Sequence, residues 1–137
     1  MPTAPSPRQV AERLLDGVTG KRWGDLPALY AEDTVVEHPF DLSGRMRRIE
    51  GRDGIREHFA MGAQLPLDME ARNVVVHETT DPEVVVVEFE YDARLTTTGR
   101  RFTAPCIFVL RVRDGEIVSS HDYVNHPLFA EATGQAG

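Results

Sequence analysis

"EVVVVEFEYDARLT", residues 83 to 96, alternates almost without interruption. Val85, Val87, Phe89, Tyr91, Ala93 and Leu95 fall on one side of an extended chain. Glu88, Glu90, Asp92 and Arg94 fall on the other. Side chains repeat every two residues along a strand, so this stretch is predicted to be a long strand with one buried face and one wet face. The strand organises its neighbours. Asp81-Pro82 makes the turn before it, and another strand covers about residues 69–79. After the "TTTGRR" turn, residues 101–113 are apolar on both faces, with Phe102, Cys106, Phe108 and Leu110 against Ile107 and Val109. Such a strand is central, or its outer face meets a partner. "RDGE" is a tight Asp-Gly turn, and residues 116–124 form the last strand. Alternation there places Val118, Ser120, Asp122 and Val124 on one face, with His121 and Tyr123 opposite.

Upstream, the period changes. Ser6-Pro7-Arg8-Gln9 has the signature of a capping box with proline at the first helical position, and Val10, Leu14, Leu15 and Val18 follow at helical spacing. Asp25, Leu26, Leu29 and Tyr30 signal a second, short helix. "TVVEHP" is a short strand stopped by Pro39, and "DLSGRMRRIEG" reads as a loop. "GRDGIREHFAMGAQL" is a third helix, with Ile55 and Phe59 inward and His58 expected to face solvent. Helices first and hairpin-linked strands after them read as α+β. The expected architecture is a cone: a strongly curved antiparallel sheet wrapping three helices around an apolar cavity. Residues 1–137 are expected to form one domain, with residues 1–5 and 131–137 flexible.

The net charge of −7 disfavours nucleic acid and anionic membranes as partners. One basic stretch, "GRMRRIEGR", carries Arg45, Arg47, Arg48 and Arg52 and reads either as a solvated loop or as a rim that attracts an anionic substrate. Cys106 is the only cysteine, which excludes an intrachain disulfide and suits a small core residue. No apolar run approaches the roughly 18 residues of a membrane helix, and "MPTAPSPRQ" lacks the apolar core of a signal peptide. A cytoplasmic protein is expected. The histidines His38, His58, His77, His121 and His126 have no ligand-like spacing with a carboxylate, so no metal is expected. There is no phosphate-binding glycine loop, nucleophile elbow or dinucleotide fingerprint.

"LYAEDTVVEHP" (29–39), "IEGRDGIREHF" (49–59) and "RVRDGEIVSSHDYVNHPLF" (111–129) resemble, in this order, passages of the nuclear transport factor 2-like superfamily. Within it the chain is similar to the SnoaL-like polyketide cyclases and the ketosteroid isomerases. The resemblance implies a proton-shuttling residue at His38, where the isomerases carry an aspartate. Their oxyanion-hole tyrosine and protonated aspartate align with Leu14 and Ile107, which donate nothing, so their steroid scheme is disfavoured. "HDY" resembles a passage of limonene epoxide hydrolase-like members in which the aspartate is a general base, here Asp122. Their full Asp-Arg-Asp relay has no counterpart. This fold hosts many functions, so the resemblance places the fold more firmly than the chemistry.

A histidine and an aspartate within reach of one another can hold a fixed tautomer and move a proton. His38 and Asp122 are therefore the expected acid and base of a cofactor-independent isomerase, cyclase or dehydratase. Its substrate would be a small, mostly apolar molecule. Leu14, Trp23, Tyr30, Phe59, Tyr91, Ile107, Val118 and Val124 are the expected pocket wall, and Asn125 and His126 stand near its mouth. A homodimer through the outer sheet face is expected. The alternative is a ligand-binding or dimerisation module without chemistry. An apolar cavity onto which His38 and Asp122 both open would favour the enzyme.

Overall fold

The computed structural model describes residues 3–44 and 46–133. Its element order is α1 (Pro7–Thr19), a 3-10 helix (Trp23–Leu29), β1 (Tyr30–Glu37), β2 (Arg48–Glu50), α2 (Gly51–Gly62), β3 (Leu67–Glu78), β4 (Val84–Leu95), β5 (Arg101–Arg113), β6 (Glu116–Val124) and α3 (His126–Thr133). Among the described residues the strands form one curved, open sheet in the order β2-β1-β6-β5-β4-β3. The expected α+β cone is the observed fold.

The capping box forms as its sequence implies. Ser6 Oγ accepts from the Gln9 backbone N–H at 3.2 Å, and the Gln9 side chain accepts from the Ser6 N–H at 2.9 Å. Val10, Leu14, Leu15 and Val18 are then buried against the sheet. The β4 alternation holds along its length, with Val85, Val87, Phe89, Tyr91, Ala93 and Leu95 all in the core. The Asp114-Gly115 turn has positive φ at both residues, the geometry that twists the β5–β6 hairpin correctly.

Four features depart from the expectation. Tyr30 opens β1 rather than ending a helix, and β1 pairs with β6 in parallel, so the sheet is not wholly antiparallel. Thr34 anchors that pairing, its buried hydroxyl donating to the Ile117 carbonyl at 2.8 Å. Residues 48–50, expected in a loop, form β2 against β1. Residues 131–133, expected to be flexible, close α3, whose Phe129 packs edge-on against Phe102 and Tyr91. Periodicity could not find an eight-residue helix whose apolar side was mistaken for a tail. Of the other positions expected to be flexible, residues 3–5 precede α1 without regular structure, and residues 1–2 and 134–137 lie outside the described residues.

The last strand carries a β-bulge. Its register steps from Val112↔Ile117 to Arg111↔Ser119, leaving Val118 without a partner. Ile117, Ser120 and Asp122 all face inward in consequence.

Candidate active site

His38 follows β1, where Pro39 ends the strand. Its backbone N–H donates to the Arg47 carbonyl at 2.8 Å. Ring Nδ1 lies 2.8 Å from the Met46 carbonyl oxygen. A carbonyl can only accept, so Nδ1 carries a proton and Nε2 is left for chemistry. Nε2 faces Asp122 Oδ2 at 3.6 Å. Both residues are buried, at 4% and 8% exposure.

Asp122 arrives from β6 in register with Phe108. Ser120, two residues earlier on the same face, donates its hydroxyl to Asp122 Oδ1. Burial pushes the Asp122 carboxyl above its ordinary range, while the charge on His38 and the Ser120 hydrogen bond pull it back without winning. Tyr30 and Tyr91 sit close enough for the Asp122 charge to be felt at both hydroxyls. Burial first, and that charge second for Tyr30, raise the phenols well above their ordinary value, so both remain neutral donors. Cys106 is pushed to about 12 by burial and then by Asp122, which makes its thiol inert.

Two further histidines surround His38. His58, on α2, is not the solvent-facing residue its helix position suggested. Its ring lies 5.5 Å from that of His38, and its Nδ1 stands 3.3 Å from Met46 Sδ. Burial, then the charges of His38 and His126, lower it to about 4. His126 opens α3 with its ring edge-on to His38 at 5.1 Å. Burial and His38 lower its pKa also, against the pull of Asp41. Its Nε2 is buried without a hydrogen-bond partner. Leaving such an atom unpaired costs about 1–3 kcal/mol. Among the described residues no group of three or more histidine, cysteine or acidic side chains is arranged to hold a metal ion.

The other expected wall residues divide. Leu14 and Phe59 are in the core, and Phe59 packs against Tyr30 and Trp23 at 6.0 and 6.2 Å. Trp23 thereby closes the space between the helices rather than lining the site. Ile107 must be corrected. It lies on the outer sheet face, 39% exposed, because β5 turns Cys106 and Phe108 inward instead. Val118 must be corrected too, since the bulge removes it from the inner face and gives the place to fully buried Ile117. Val124 is half-buried at the rim, where the strand ends. Of the basic stretch, Arg48 pairs with Glu37 and Glu50, and Arg52 with Glu116. Arg45 lies outside the described residues.

The sheet's outer face carries a groove of about 840 Å³ that His38 and Asp122 do not line. One row crosses it from β3 to β6, Val75↔Glu88↔Ile107↔Tyr123, and the exposed Phe40 and Leu42 flank it. Phe40 meets Tyr123 edge-on at 5.4 Å.

An uncharacterised PhzA/B-like protein of Pseudomonas aeruginosa is 33% identical over 122 residues, 89% of this chain and 84% of that protein. The crystal structure of a proposed isomerase from Bacillus subtilis superposes with a TM-score of 0.86 at 25% identity, covering 95% of this chain and 94% of the other. A proposed polyketide cyclase from Pseudomonas putida shares the fold at a TM-score of 0.78 and 13% identity, covering 95% and 99%. The family model of the SnoaL-like domain matches residues 11–120. With that span running from within α1 into β6, the chain belongs to the SnoaL-like family of the nuclear transport factor 2-like superfamily.

Proposed function

We propose that this protein is a cofactor-independent enzyme that moves a proton on a small, mostly apolar organic molecule. Isomerisation, polyketide-type cyclisation and dehydration all fit that chemistry. The observation that carries the reading is the buried Asp122 carboxyl facing His38 Nε2 at 3.6 Å, with Nδ1 already engaged by Met46. At that separation Nε2 and Oδ2 share no direct hydrogen bond and flank a position that a substrate atom can occupy, one as base and the other as acid. The pair takes a proton from carbon beside a carbonyl and returns it at a second atom. The neutral hydroxyls of Tyr30 and Tyr91 are suited to the oxygen on which charge develops. The names given to the isomerase and cyclase relatives point the same way.

The test is proton exchange at C–H acids in deuterated water, run over a panel of enolisable ketones, with ring opening of epoxides alongside. General acid–base catalysis contributes roughly 10²–10⁴-fold, so His38→Ala and Asp122→Asn should each lower the rate by about that factor. Turnover that survives both substitutions removes this site from consideration.

The outer groove supports a second reading, a module that binds or dimerises without chemistry. The apolar side chains around it, Val75, Ile107, Tyr123, Phe40 and Leu42, are the surface we assign to a second copy of the chain. The dimer by itself is compatible with the first reading, since association through the outer face leaves the interior site intact; only the absence of chemistry separates the two.

A further inference from the structure

The loop between β1 and β2 holds a buried carboxylate that the acid–base chemistry does not use. Asp41 Oδ1 accepts from the Ser43 N–H at 3.1 Å and from the Ser43 hydroxyl at 2.6 Å. Asp41 Oδ2 accepts from the Met46 N–H at 2.8 Å. Backbone bonds tighten the same loop: the Asp41 N–H donates to the His38 carbonyl at 3.1 Å, and the Gly44 N–H to the Asp41 carbonyl at 3.2 Å. Burial pushes the Asp41 carboxyl up, but the Ser43 and Met46 hydrogen bonds outweigh it and hold the group ionised. The loop therefore closes on a permanent anion whose lone pairs are aimed at backbone N–H groups. Met46 is where this matters. Its N–H is held by Asp41, and its carbonyl receives His38 Nδ1 at 2.8 Å. Its sulfur stands against His58 at 3.3 Å.

We infer that Asp41 is a positioning residue: by holding Met46 through its N–H it keeps the Met46 carbonyl in place, which locks His38 in the Nδ1–H tautomer and keeps Nε2 free to face Asp122. Imidazole free in water has no such lock, and the nitrogen that carries the proton in a protein is set by what the other nitrogen meets. Here the acceptor is a backbone carbonyl in a turn-rich loop, a segment that would fray without its clip. Outer partners of this kind orient functional histidines in many sites. The inference deepens the proton-transfer reading of this site, but it concerns a ground-state property that can be measured without any substrate.

The experiment is long-range proton–nitrogen correlation spectroscopy on nitrogen-15-labelled full-length protein, at a pH where His38 is neutral. His38→Gln assigns the resonance. In the wild type, His38 is expected to give the Nδ1–H pattern. In Asp41→Asn, the new amide can accept from Ser43 or from Met46 but must turn an NH₂ donor toward the other. The Met46 peptide loosens, and the Nε2–H pattern should gain about fivefold in the tautomer ratio, the worth of one ordinary hydrogen bond. Asp41→Glu, which restores the carboxylate on a longer arm, should recover part of the wild-type ratio. An Nε2–H pattern in the wild type overturns the inference outright, even if the variants fail to fold. An unchanged Nδ1–H pattern in folded Asp41→Asn overturns it as well. Because no turnover is read, loss of the enzyme reading in the ketone screen and loss of the tautomer lock are separate outcomes.

Discussion

At the scale of the residue, the site is a crowd of imidazoles around one carboxyl. His58 shows the thermodynamic consequence. Its folded pKa, about 4, lies below the ordinary 6.5, so the folded state prefers it neutral. A depressed histidine contributes stability above its unfolded pKa, and that contribution is lost as the pH falls from 6.5 through about 4. Each unit is worth about 1.4 kcal/mol, which makes the loss roughly 3 kcal/mol. His58→Gln should therefore flatten the fall in stability between pH 6.5 and 4, measured by urea unfolding at a series of pH values. A wild type whose stability is level across that window would refute the burial of His58. His38 and Asp122 could be named from the sequence because each sits at a place with chemical meaning in its relatives. His126, four residues after Asp122, was expected near the mouth of the site, but His58 could not be joined to the pair, since its helix position alone suggested solvent. Only the closure of α2 and α3 onto the end of β1 brings the three rings together.

At the scale of the element, local signals were the most legible. The Ser6–Gln9 box and the alternation of Val85 to Leu95 each follow from a rule operating within a few residues, and both formed as read. Ser6→Ala should lower thermal stability by about 1 kcal/mol through loss of the cap, read from the melting temperature. Long-range pairing was not legible. Nothing within residues 30–37 announces a parallel partner near residue 117, and the Thr34 hydroxyl on the Ile117 carbonyl is visible only in the folded chain. Thr34→Val keeps the shape and strands that buried acceptor, so it should cost about 1–3 kcal/mol in chemical denaturation. The misplacement of Ile107 had a simpler origin. Spacing carried over from relatives ran one residue out of phase, and in a strand one residue is the whole difference between the two faces.

At the scale of the whole molecule, one sheet has two kinds of surface. Its concave side holds the helices and the polar cluster, and its outer side presents Val75, Ile107, Tyr123, Phe40 and Leu42 around a groove. Leu42 is 80% exposed, a costly place for a leucine on a protein that works alone. The expected outcome is a dimer in sedimentation equilibrium. Ile107→Glu should shift it to monomer without altering the circular dichroism spectrum. A wild type that sediments as a monomer at micromolar concentration would leave the groove without its second copy. The two sides are joined through the strands, so a charge placed at Ile107 also tests whether the interior site tolerates loss of the interface.

The unpaired residue in the last strand has a consequence best stated as parity. Ile117 and Asp122 are five positions apart, an odd interval, and odd intervals in a regular strand put two side chains on opposite faces. Were Val118 an ordinary rung of the ladder rather than a supernumerary step, the chain would have to choose between a greasy anchor under β1 and an acid beside His38. The bulge makes the count even and allows both. Deleting Val118 would keep the interval even and both side chains inward, whereas drawing it into the ladder as an ordinary rung would turn one of the two out.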